Sequence, residues 1–245
     1  MSKQKKLEMF EENPHNLDVN PKLEGSNLVD CVPQTGTCPM GCLECFYNSR
    51  DWYRDRNIPQ IPTLDEAKGK VVRVNSGNDS NIDRENVIKV ASRYDDFFFN
   101  TSVPMFEFPG PIVFTVNGRG DDKSFLVSKK ECKKFMFVRF RLNLWNLDEA
   151  DKVVAHYTAL GTPVVMTFMR YSDKKNIQPA HLRSYKWEKH ILSEYYMLKK
   201  KKVVEVMGRW KENPLVKKCG SLESDFCRDC GNCYNLYFEW KKKQK

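Results

Sequence analysis

The chain has 245 residues with a formal charge of +9, and 40 % of its residues are hydrophobic. That length and composition exclude a disordered chain, and no apolar run approaches the roughly 18 residues of a membrane helix. The N-terminus, MSKQKKLEMF, has no apolar segment of the secretory kind, so a cytoplasmic protein is expected.

Residues 1–25 are polar and rich in turn signals, and read as an irregular lead-in. NLVDCV (27–32) predicts a first strand that runs through PQTGT into a turn carrying Cys38, Cys42 and Cys45. KVVRV (70–74) predicts a second strand, ending in the polar turn Asn75-Ser76-Gly77-Asn78-Asp79. The spacing of Ile82, Val87, Val90 and Ala91 predicts a helix over 82–94.

Two more strands are expected at 96–103 and 111–118. KFMFVRFRLNL (134–144) alternates as a fifth strand, with Arg139, Arg141 and Asn143 on one face; alternation alone leaves open whether that face is interior or solvent-facing. A helix over 146–161 and a sixth strand over 162–169 follow. This order of strands and helices argues for parallel strands with crossover connections, hence an α/β domain over 26–170.

In 171–202, Trp187, Ile191, Tyr195 and Leu198 have helical spacing, so a packing helix is expected over 182–202. Residues 203–245 carry a second group of cysteines and are too short for a core of their own without a metal staple. His156 is expected to be structural.

Seven of the nine cysteines fall in the two groups, which suits metal or redox use better than a disulfide framework. The first is C-x₃-C-x₂-C: three soft thiolates that suit an iron–sulfur cluster, zinc or monovalent copper. No second pair follows within eighty residues, and Cys31 is the nearest candidate fourth ligand, in a strand where a free cysteine is ordinarily a core residue. The second group, Cys219, Cys227, Cys230 and Cys233, contains the C-x₂-C-x₂-C run of bacterial ferredoxins. It is read as an auxiliary [4Fe–4S] site, with structural zinc as the alternative.

The triad Cys38, Cys42 and Cys45, on the loop after the first strand of a β/α series, resembles the signature of the radical S-adenosylmethionine superfamily. In that family an aromatic stands just before the third cysteine; here that position is Glu44, and Phe46 follows. The resemblance implies a partial (β/α)₆ barrel and a catalytic [4Fe–4S] cluster whose open iron binds S-adenosylmethionine. Cleavage of the sulfonium then gives a 5′-deoxyadenosyl radical that abstracts a substrate hydrogen. It further implies cofactor contacts from Phe46, from Ser76, Gly77, Asn78 and Asp79 after the second strand, and from the strand ends at Thr115, Asn117, Arg139, Arg141 and Asn143. A low-potential donor such as flavodoxin or ferredoxin would supply electrons.

The main rival is a zinc-stapled nucleic-acid-binding protein using the lysine runs, although seven of the lysines sit at the two chain ends. A third reading is an electron carrier with two clusters. Peptide, nucleotide and small-molecule substrates all stay open.

Overall fold

The computed structural model describes residues 20–42, 45, 55–117, 125–189 and 194–244. Its centre is a curled half-barrel of seven parallel strands. Six are in chain order: β1 (Leu28–Cys31), β2 (Val71–Val74), β3 (Phe97–Thr101), β4 (Ile112–Val116), β5 (Phe135–Leu142) and β6 (Val164–Phe168). The antiparallel hairpin β7 (Tyr185–Lys189) and β8 (Glu194–Leu198) interrupts the series, and β9 (Val216–Lys218) then joins the sheet beside β6.

Alternation along each strand sorts side chains between two faces. On the convex face Val74, Phe99, Phe114, Val138, Phe140 and Met166 form one large core with the helices. These are α1 (Leu64–Ala67), α2 (Arg84–Ala91), α3 (Lys129–Cys132), α4 (Leu147–Ala159) and α5 (Lys200–Met207). Capping boxes start α1 at Thr63 and α3 at Ser128, so these single turns have partners for their first amides. Gly161, at φ +75°, stops α4 where the sequence predicts. His156 Nε2 donates to the Val127 carbonyl at 2.8 Å.

The concave face is apolar at the strand starts and polar at their ends. Its lower half, Leu28, Val71, Phe98, Val113, Phe137 and Val165, is covered by Leu236 and Tyr237. Those two belong to α7 (Asn232–Lys243), which follows the four-residue α6 (Cys227–Cys230). Tyr237 donates to Asp96, just before β3, at 2.9 Å, and Trp240 donates to the Lys133 carbonyl, just before β5, at 3.3 Å. The C-terminal segment therefore plugs the floor of the half-barrel.

The helix expected over 182–202 is a correction. Tyr185–Lys189 pairs antiparallel with Glu194–Leu198, so Trp187 stands opposite Tyr196 and meets it edge to face across the hairpin. Aromatic residues favour this pleated pairing over a helix, and the pairing sets Trp187 and Tyr195, which a helix would bring to one face, on opposite faces of the hairpin. Among the described residues, no helix is long and apolar enough to cross a membrane.

Candidate metal and cofactor site

The C-terminal strand ends open into a cavity of about 870 Å³, toward the upper end of the roughly 300–1,000 Å³ that small-ligand sites occupy. Both cysteine groups line it: Cys38, Cys42 and Cys45 on the loop after β1, and Cys219, Cys227, Cys230 and Cys233 after β9 and along α6 and α7.

The first loop is tied to its neighbour. Gln34 donates from Nε2 to the Asp79 and Ile82 carbonyls at 3.2 and 2.7 Å, fastening the cysteine loop to the turn after β2. Cys45 N–H donates to the Cys42 carbonyl at 3.2 Å, which folds the triad back on itself. Burial raises the Cys38 thiol pKa, and the nearby Asp79 carboxylate and the other two thiols add to that.

The turn after β2 starts at Asn75, which holds a left-handed φ of +57°, a conformation asparagine tolerates better than most residues. Its Nδ2 donates to Ser80 Oγ at 3.3 Å; its buried Oδ1 has no hydrogen-bond partner among the described residues and the side chain borders the cavity. Ser76, Gly77, Asn78 and Asp79 border it too. Asp79, however, is used up locally. Its Oδ1 accepts from Asn81 N–H (3.0 Å) and Thr101 Oγ (2.8 Å), and its Oδ2 from Ser102 N–H (2.6 Å) and Ser102 Oγ (3.0 Å). Four donors occupy the four lone-pair sites of a carboxylate, so Asp79 shapes the turn.

The face of β5 that carries Arg139 and Arg141 is the interior one. Arg139 and Arg141 line the cavity, as do Thr115 and Asn117. Arg139 Nη1 donates to Asn100 Oδ1 at 3.2 Å, and Asn100 Nδ2 donates to the Val74 carbonyl at 2.7 Å. Arg141 Nη1 reaches Asn117 Oδ1 at 3.4 Å, and Asn117 Nδ2 donates to Cys42 Sγ at 3.4 Å. Asn143 is placed elsewhere: its Oδ1 accepts from Trp145 N–H at 3.0 Å in the turn before α4. Phe46 and Glu44 lie outside the described residues.

Cys31 points away from all of this. It is fully buried in the convex core with Val74, Val87 and Phe99, across the sheet from the triad, and Cys132 is buried in the same core. The nearest candidate fourth ligand is therefore a core thiol.

The second group converges through two glycines and one strand end. Gly231, at φ +64°, separates α6 from α7 so that Cys233 can turn toward Cys227 and Cys230. Gly220 N–H donates to Cys230 Sγ at 3.2 Å, and Asn232 donates to the Lys218 carbonyl at 2.7 Å. Cys219 is exposed and lines the cavity. A hydrogen bond from Cys230 lowers the Cys219 pKa well below the usual thiol value, while burial pushes Cys233 up to about 11.

Comparison of the chain with family models, curated proteins and solved structures gave no match. The donor set must be weighed on its own chemistry. Among the described residues, no three His, Cys, Asp or Glu side chains are gathered closely enough to hold a single metal ion. One tetrahedral zinc, with Zn–S near 2.3 Å, would need thiolates only about 3.8 Å apart. An iron–sulfur cluster spreads its thiolates over different irons. The all-thiol donor groups are of the kind that iron–sulfur clusters and zinc both take.

Residues without a role in the sequence reading also line the site, Arg73, Asn100, Lys22 and Lys218, with Asp30 paired to Arg73. The available signal was a lone charge amid apolar residues, Asp30 in NLVDCV and Arg73 in KVVRV.

Proposed function

We propose that the chain is a radical S-adenosylmethionine enzyme, with the catalytic [4Fe–4S] cluster on Cys38, Cys42 and Cys45. One observation carries this reading. The three thiols stand at the C-terminal mouth of a half-barrel of sequential parallel strands, and the cysteine best placed in sequence to complete a four-thiol site is buried on the other face. In parallel α/β barrels that mouth is where reactive groups collect.

When bound, the cluster and cofactor supply a 5′-deoxyadenosyl radical for hydrogen abstraction. The chain's own residues hold and shield. Asn75 Oδ1 offers an acceptor for an ammonium group, and Arg141 and Arg139 offer donors for a carboxylate. Asn117 links Arg141 to Cys42 and fixes both. The hairpin β7–β8 lines one side of the cavity through Lys186, Glu188, Tyr195 and Met197, and limits water there. Electrons come from a low-potential donor protein. The C-terminal cysteines carry an auxiliary [4Fe–4S] cluster.

The test is anaerobic reconstitution with iron and sulfide, reduction, and addition of S-adenosylmethionine. The wild-type chain should form 5′-deoxyadenosine and Cys42→Ala should not. Equal, background-level product from both would overturn the reading.

A further inference from the structure

The two cysteine groups share a cavity but not an electrostatic setting. Beside the C-terminal group lies a buried ion pair: Arg73 Nε donates to Asp30 Oδ1 at 2.7 Å and Nη2 to Asp30 Oδ2 at 3.1 Å, with Asn20 Nδ2 on Asp30 Oδ2 at 3.0 Å. Asp30 and Arg73 are 2 % and 7 % exposed. This bidentate grip fixes the guanidinium plane, and its remaining nitrogen, Nη1, points at Cys227 Sγ, 4.0 Å away.

Arg139 is a second cation that lines the cavity together with Cys219 and Cys233; its hydrogen bonds go to Asn100 and Thr115, and it has no carboxylate partner among the described residues. Lys22 lines the same cavity. The first group has the Asp79 carboxylate beside Cys38, whereas the carboxylates near the C-terminal group, Asp30 and Asp225, are each held by an arginine, Arg73 and Arg170.

We propose that Arg73 and Arg139, with Lys22, form a cationic shell that raises the reduction potential of an iron–sulfur centre on Cys219, Cys227, Cys230 and Cys233 above that of the centre on Cys38, Cys42 and Cys45. The proposal rests on the iron–sulfur reading of the C-terminal cysteines. Its physical basis is that a fixed positive charge and N–H donors near the sulfurs favour the reduced, more negative state. Arg73 and Arg139 are positioning residues here; they act through the cluster and touch no substrate.

The experiment is an anaerobic redox titration of reconstituted full-length protein followed by electron paramagnetic resonance. In the wild type, the C-terminal centre should be reduced first as the poise is lowered. A Cys38→Ala/Cys42→Ala/Cys45→Ala background isolates that centre. Adding Arg73→Gln there should cut the reduced-to-oxidised ratio at a fixed poise at least tenfold, about 59 mV for one electron. Because Arg73→Gln leaves Asp30 unpaired, Arg139→Gln serves as the second variant and should shift the ratio the same way. Lys242→Gln, on the exposed end of α7, should not.

Iron retained with an unchanged ratio in Arg139→Gln would overturn the proposal. So would the absence of reducible iron in the triple-alanine background. Formation of 5′-deoxyadenosine by the wild type is measured separately, so the catalytic reading stands or falls independently.

Discussion

The two cysteine groups differ in how the chain holds them. The first is a loop of near neighbours in sequence, tied down mainly by Gln34 and Asn117 and set beside a carboxylate. The second gathers thiols from a strand end and two helices, and sits against a buried arginine on the apolar plug that fills the half-barrel floor. One group can be emptied or opened without disturbing the core. The other is part of what closes the core. A reactive site needs the first kind of freedom, and a permanent centre needs the second kind of enclosure.

The sharpest way to break this contrast is to remove one thiol from each group. Cys42→Ala should abolish 5′-deoxyadenosine formation while keeping the native denaturation midpoint. Cys230→Ala should lose the C-terminal iron and unfold at lower denaturant, yet still form 5′-deoxyadenosine when assayed while folded. Similar losses of stability from both would erase the distinction. Next in size is the buried pair. Arg73→Met leaves an uncompensated buried carboxylate and should cost about 3–5 kcal/mol. Asp30→Leu/Arg73→Met should recover much of that, read from urea unfolding. Leu236→Ala, at a side chain only 1 % exposed under the strands, should cost about 2–4 kcal/mol through the cavity it leaves. The faster backbone hydrogen exchange it causes should be concentrated in α7.

The strands were legible because each is an apolar run whose alternation and bounding turns point the same way; β1 to β6 and α4 all fall inside their expected spans. The hairpin was not. Aromatic residues four and eight apart share a face in a helix, and what overrides that spacing is the pairing of Tyr185–Lys189 with Glu194–Leu198, a contact between two segments that no local pattern shows. Strand β9 is three residues long, VKK, and no local pattern marks it; pairing with Val164–Met166 makes it a strand. The site shows the same division. Cysteine spacing is written in the chain, so the triad was visible. The facing of Arg139 and Arg141 depends on which side of the sheet the plug covers, a long-range fact. Asp79 was visible as a candidate, but its four hydrogen-bond donors come from Asn81, Thr101 and Ser102, two of them on or just beyond β3, and nothing near residue 79 announces that they consume it.

The smallest effect follows from that last point. With Asp79 saturated, the free acceptor in the turn after β2 is Asn75 Oδ1, and cofactor binding becomes a test of which residue does the work. Asn75→Gly accepts the left-handed backbone without strain and loses only the side-chain amide. It should change folding stability by no more than about 1 kcal/mol, the worth of its one bond to Ser80. A lost hydrogen bond to an ammonium, worth roughly 1.5 kcal/mol, should weaken S-adenosylmethionine binding about tenfold in equilibrium dialysis of the reconstituted protein. Asn75→Asp keeps an acceptor at the same place and strengthens it with charge, so its binding should match or exceed wild type. If Asn75→Gly bound the cofactor normally, the turn would be only the support of the triad loop, and the contrast between a ligand-facing wall and a structural floor would begin at Asn117 instead.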